Sequence, residues 1–471
     1  MRALCAEALD AAVAGGASYA DARAVSRRDQ LVATRNGDVL SVTDQESEGI
    51  GVRVLVDGAW GFACDRRVSE EGAREAARRA CAFARAAAAG SGRRLEPVEA
   101  QAVQYRTPAR IDPFSVSVGD KIALCLRSEE AMRQEGVIVT AATLRAFRER
   151  KQLATTDGVE ADQERIECGG GIDAIAAVDG VVQSRSYPAG FGGWSGQAGW
   201  EFVEAFALER EAPRVGEEAV ALTRAPVCRP GRTTLVLDTD QMVAQLHESV
   251  GHPIELDRIL GTEAAYAGTS FLSQADLDRL QYGSELMNVT ADATLPGGLG
   301  SFAVDDEGSP ARREAIVEAG VLRRFLSSRE LGGGGSMRSD NWNRMPLVRM
   351  TNLSLEPGEG SLEELLADVA EGVYLETNKS WSIDDKRLNF QFGTEAAWEV
   401  KDGKRGRLLR DATYTGITPQ FWASLDALAG PEHWRVIGAT NCGKGQPGQV
   451  AHVSHGASPG RFRDVEVGVR S

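Results

Sequence analysis

Along the first third of the chain, apolar positions switch between helical spacing and the two-residue alternation of strands. Residues 3–14 recur at helical spacing and stop at Gly15-Gly16, which predicts an amphipathic first helix. The pattern is β-rich from there to Asp65, with Asn36-Gly37 and Asp57-Gly58 placed between segments as hairpin turns require. VSEEGAREAARRACAFARAAA returns to helical spacing, capped by Ser69 and acidic in its first turn.

A further helix is expected over DKIALCLRSEEAMRQ, with Asp120 as candidate cap, followed by strand-like GVIVTAATLRAFRERKQLATTDG. The segment GFGGWSGQAGW reads as a loop with a packing role. A helix from about Glu209 to Arg224 leads to the boundary APVCRPG, which divides an N-terminal α+β domain (1–225) from a C-terminal domain (226–471). The second domain opens with TTLVLDTD, a buried strand feeding directly into a helix. The remainder has strand and hairpin texture, broken by short helices over SLEELLADVAEG and FWASLDALAG and by the glycine run of ELGGGGSMRSDNWNRMP. The expected class is α+β, two domains, with a sheet-rich second domain.

Composition narrows the function classes. Of 471 residues, 42% are hydrophobic and 26% charged, the balance of a globular protein with substantial cores. A formal charge of −15 disfavours nucleic acid as a partner. No apolar run is long enough to span a bilayer, and Glu7 and Asp10 interrupt the N-terminal apolar stretch, so neither membrane insertion nor export is expected. Seven scattered cysteines without a C-x-x-C pair fit reduced thiols in a cytoplasm.

The candidate chemistry lies in LHESVGHPIELD, Leu246 to Asp257. Two of only five histidines, His247 and His252, flank Glu248 there. Two imidazoles beside a carboxylate point to a divalent metal, with zinc the expected ion and Glu248 the general base. The spacing is unusual: residues i and i+4 lie about 40° apart around a regular helix, but i and i+5 about 140°. Gly251 tolerates a backbone excursion and Pro253 disfavours the α region for His252. The helix is therefore expected to widen into a π-type turn or break at Gly251, swinging His252 back over the ion.

A catalytic zinc needs a third protein ligand. Glu255, Asp257, His433, Cys442, His452 and His455 are the candidates. Glu255 and Asp257 suit better the orientation of an imidazole through its second nitrogen. His452 and His455 read as surface histidines on opposite faces of a strand, and His433 lies in a loop. Cys442, beside Gly443 with Lys444 two residues on, is either a thiolate ligand or an inert loop cysteine.

GVRVLVDGAWGFA, HESVGHPIELD, VDDEG, RMTNLSLEPG and NCGKGQPGQ occur in that order across nearly the whole chain. The set resembles the TldD/PmbA family of bacterial metallopeptidases. That resemblance implies a C-terminal metallopeptidase domain, zinc held by His247, His252 and Cys442, and Glu248 as the catalytic base. It implies peptide or unfolded protein as substrate, and a dimer either with a sibling lacking the motif or with a second copy; because this chain keeps the motif it resembles the TldD-type member. A small peptide-derived amide, or a metal-binding regulatory role, are the alternatives. Arg349 and Asn352 are candidate substrate contacts.

Overall fold

Left-handed backbone at Asn36-Gly37 and at Asp57-Gly58 folds three long strands, Tyr19–Arg35, Asp38–Val56 and Ala59–Asp65, into a meander. Both turns need positive φ at two successive residues, which Asn-Gly and Asp-Gly supply at small cost. A computed structural model describes residues 1–87, 93–266 and 268–468. The helices Arg2–Ala14 and Glu70–Ala87 lie together against this meander through an alanine-rich core that includes Ala8, Ala12, Ala73, Ala77 and Ala80. Side chains this small let the helices approach the sheet closely.

Two strands of 19 and 20 residues, Val137–Thr155 and Val159–Val178, extend the same sheet, backed by the helices Val118–Met132 and Leu208–Arg224. The first of these helices starts two residues earlier than its sequence suggests. Ser117, not Asp120, is the cap: its hydroxyl accepts from the Asp120 amide at 3.0 Å. The apolar stretch FWASLDALAG is also divided, into the end of the helix Thr418–Ala423 and the strand Leu425–Leu428.

The C-terminal half builds a seven-stranded, mostly antiparallel sheet around Gly231–Leu237 and contributes further strands to the large N-terminal one. The junction within the large sheet is narrow. Strand Arg435–Lys444 meets strand Trp194–Gly196 through the single pair Gly438 and Ser195. Past Gly438 the two halves diverge, and a cleft of about 350 Å³ opens between them. No helix among the described residues is long and apolar enough to cross a membrane.

VDDEG makes a buried polar contact between the halves. Asp306 binds Arg23 at 3.2 Å and Lys151 at 2.8 Å, and Glu307 binds Arg53 at 3.0 Å, all buried. Next to them, burial alone would raise the Glu149 carboxyl, but Arg165, Lys151 and Arg27 outweigh it and hold the group down at about 2 from its ordinary 4.5. A carboxylate with a depressed pKa contributes stability that is present above about pH 4.5 and is lost as pH falls towards 2. Urea unfolding is therefore expected to weaken across that window. Glu149→Gln should lower the midpoint at pH 6 and flatten the slope below it; an unchanged slope would place the acid sensitivity elsewhere.

Candidate metal and catalytic site

The strand Gly231–Leu237 runs into the helix Thr239–Leu246, whose N-cap, Asp238, accepts from the Gln241 amide at 2.8 Å. The helix is anchored on its back face. Gln241 donates to Tyr414, Tyr414 to Gln245, and Gln245 to Ser249, at 2.8–2.9 Å; Trp422 also donates to Ser249 at 2.9 Å. Residues 241, 245 and 249 share one face at helical spacing, so this buried chain of polar side chains fixes which face the helix turns to the cleft.

From His247 to Gly251 the helix is a π-turn, and the His252 amide bonds the His247 carbonyl at 3.2 Å. The extra residue in the turn removes the angular mismatch of i and i+5: the two imidazole centroids lie 4.8 Å apart. The expected widening is what forms; the expected break does not. His252 keeps helical torsions, φ −69° and ψ −42°, despite Pro253. Nor does Gly251 adopt a left-handed conformation. Its role is contact, since a Cβ there would sit 2.1 Å from the sulfur of buried Met350. Gly251→Ala is therefore expected to cost about 1–3 kcal/mol in urea unfolding, the range for overpacking a filled core. A cost near zero would show that Met350 moves aside freely.

Cys442, 190 residues beyond His252, completes a cluster. One ligand atom from each of His247, His252 and Cys442 lies within 4.8 Å of the others, and Cys442 Sγ is 4.0 Å from His252 Nε2. These three residue types are a recognised donor set for zinc. Burial would raise the thiol, but Arg349 and His252 overcome it and favour the thiolate. Lys444 is not the cation responsible. It binds Asp257 and the Val348 carbonyl, each at 2.8 Å.

Hydrogen bonds present both imidazoles to the same point. His252 Nδ1 meets Glu255 at 3.2 Å, leaving Nε2 turned to the cluster. Glu255 is held well below the ordinary range because Lys444, His252 and Arg258 outweigh burial, so it is an anionic acceptor for that Nδ1–H. For His247 the partner is another histidine. His455 Nδ1 lies 3.0 Å from the Leu353 carbonyl, which can only accept, so His455 carries its proton there. Its Nε2, 2.7 Å from His247 Nδ1, is then an acceptor, and His247 Nε2 is left with its lone pair. Burial and the nearby His247 keep His455 neutral.

His455 therefore corrects the reading of H-x-x-H as a surface pair. It is buried, and its neighbour His452 is half-buried and bound to Glu167 at 2.5 Å. Glu255 takes the orienting role expected of it; Asp257 does not. His433 accepts from the Leu362 amide at 3.1 Å in a short turn. Neither RMTN residue borders the cleft. Asn352 is fully buried and holds the Ser301 hydroxyl and the Gly300 amide, while Arg349 donates to the carbonyls of Cys442 and Gln449.

Glu248 is buried beside the cluster, with Oε2 2.5 Å from Arg387. Burial would raise its carboxyl, but His252, His247 and Arg387 together lower it. Sequence reasoning missed Arg387, which reaches the site from the hairpin between strands Glu371–Ile383 and Asn389–Lys401. It missed Asn378 as well, whose Oδ1 has no partner among the described residues although the side chain is buried on the cleft wall. Gly190, Gly192 and Gly193 also line the cleft, beyond the packing role expected of them, and Phe191 meets Trp381 at the opening with centroids 5.2 Å apart. Both rings are exposed.

Three family models match the chain in order: PmbA/TldA metallopeptidase domain 1 over residues 20–84, the central domain over 111–225, and the C-terminal domain over 230–467. A metalloprotease of Methanocaldococcus jannaschii is 26% identical over 420 residues, covering 87% of this chain and 89% of that protein. A metalloprotease of Methanothermobacter thermautotrophicus is 28% identical over 458 residues, covering 96% and 95%. Among solved structures, a Thermotoga maritima protein named as a candidate modulator of a DNA gyrase superposes with a TM-score of 0.77 at 18% identity, covering 99% of each chain. That likeness is one of fold.

Proposed function

Because the chain belongs to the TldD/PmbA family of metallopeptidases, we propose that it is a zinc-dependent peptidase of the TldD type, with His247, His252 and Cys442 as metal ligands and Glu248 as general base. The observation that carries this reading is the convergence of the three ligand side chains next to a buried carboxylate on the wall of an open cleft. When bound, zinc supplies Lewis acidity towards a carbonyl oxygen and towards water.

The chain's own groups divide the remaining work. Glu248, kept anionic, takes a proton from the attacking water and delivers it to the leaving amine. Arg387 fixes the Glu248 carboxylate through one nitrogen and, from the cleft side, is the candidate donor to the developing oxyanion. The Nδ1–H bonds to Glu255 and His455 hold the two imidazoles in the tautomer that leaves Nε2 as donor atom.

Substrate is an extended peptide segment. Past Gly438 the outer edge of strand Arg435–Lys444 has no strand partner among the described residues, and residues Ala439 to Gly443 line the cleft. An added strand would pair there through its main chain, which is tolerant of sequence. Asn378 Oδ1 offers an acceptor on the facing wall, and Phe191 with Trp381 offers apolar cover for side chains. A dimer with a motif-less sibling or with a second copy follows from the family resemblance, and the cytoplasm is the expected compartment. The test is metal content measured beside cleavage of an unstructured peptide, for this chain alone and mixed with such a sibling. Stoichiometric zinc with no cleavage in either case would leave the regulatory reading standing.

A further inference from the structure

Beyond the peptidase reading, we propose that the buried cavity between the two halves is a binding site for an oxyanion, a carboxylate or phosphate group, gripped by Arg338 and Arg349. The cavity measures about 40 Å³, room for roughly three waters or one such group at about 10–15 Å³ per water.

The argument is one of charge balance. Four carboxylates line this cavity, and each has at least one partner already. Glu149 binds Arg165 at 2.7 Å, and Asp306 binds Lys151 and Arg23. Asp305 accepts four backbone amides, from Glu307, Ser309, Gly335 and Met337. Asp340 accepts the Val450 amide at 3.0 Å through Oδ2, and its Oδ1 has no hydrogen bond but lies 3.9 Å from Arg344 Nε.

Arg338 and Arg349, also in the lining, have no carboxylate within ion-pair distance among the described residues. Their terminal nitrogens meet only carbonyls: His452 and Met350 for Arg338, Gln449 and Cys442 for Arg349. In both, the Nε is buried without a partner. Arg338 is 8% exposed and Arg349 1%. The Cys442 sulfur and Asp306 offset these charges only from a distance, with no direct ion pair; two desolvated guanidiniums facing one small cavity remain costly unless an anion joins them, and their planar forks match an oxyanion. Burial, together with the like charges of Arg165 and Arg349, pulls Arg338 down to about 9, the strain an anion would relieve.

The cavity adjoins the cleft through a second space. Arg27, Asp340, Val450 and His452 line both this cavity and a second one, which shares Arg145, Ser195 and Thr440 with the peptidase cleft. The anion can therefore come free from solution or as the terminal carboxylate of a peptide that has threaded past the metal.

Calorimetric titration of the metal-loaded protein with inorganic phosphate reads the site directly and is independent of peptidase activity. Saturable binding is expected, weakened about tenfold or more in Arg338→Gln, with metal content retained. Arg338→Lys, which keeps the charge but loses the fork, should fall between the two. The second arm, which rests on the peptidase reading, compares the KM of a peptide with a free carboxylate against its C-terminal amide. A higher KM for the amide, lost in Arg338→Gln and accompanied by competition from phosphate, assigns the site to the substrate terminus. Phosphate binding without that preference assigns it to a free anion. Absence of both phosphate binding and carboxylate preference in the wild-type protein overturns the proposal while leaving the metal site untouched.

Discussion

Zinc-loaded Glu248→Gln protein is expected to hydrolyse peptide about 10²–10⁴-fold more slowly than the parent, the contribution typical of a positioned general base. Glutamine preserves the shape of the side chain and can still accept from Arg387, but its amide cannot take a proton at neutral pH. The loss should fall on kcat with KM little changed, because the cleft edge at residues 439–443 and the Phe191–Trp381 rim do not involve Glu248. Metal content is the necessary companion measurement. Glu248 is not among the clustered donor atoms, so one equivalent of zinc should remain. A variant that binds zinc and retains the parental rate would remove Glu248 from the mechanism.

Cys442→Ser is expected to abolish stoichiometric zinc, and with it activity. A serine hydroxyl is a far poorer ligand than thiolate at neutral pH, and the site loses the sulfur donor whose deprotonation Arg349 and His252 favour against burial. Zinc at a hundred times its Kd stabilises a folded protein by about 2.7 kcal/mol, so added zinc should raise the melting temperature of the parent and leave that of the variant unmoved. His455→Phe gives a graded comparison: it keeps all three ligands but removes the group orienting His247, along with that group's bond to the Leu353 carbonyl, and losses of this kind cost about 10–100-fold in affinity. Equal zinc binding by the parent and Cys442→Ser would reject the assignment of the third ligand.

Much of the local structure follows from neighbouring residues. Asn36-Gly37 and Asp57-Gly58 demand hairpins because few other pairs accept two positive φ values in succession. The H-E-x-x-x-H spacing requires a widened turn if both histidines are to face one point, and a π-turn is present. Where local cues competed, they misled. Serine and aspartate three residues apart both offer a cap, and only the one preceding the first helical residue can serve. Pro253 weakens the α region for His252, yet burial of the surrounding turn overrides that preference.

Short-range elements and, through the ordered motifs, the family are legible in the amino-acid order, because they depend on interactions a few residues long and on segments that can be matched one by one. The tertiary structure alone decided which distant groups meet. The pairing of strand Arg435–Lys444 with strand Gln449–Ala457 brings Cys442 to the helix and buries His455 under His247, and a two-residue period cannot reveal either, because it says which residues share a face and not what that face touches. The same holds for Arg387 at Glu248 and for Arg338 and Arg349 around one cavity, where charges far apart in sequence are placed by packing.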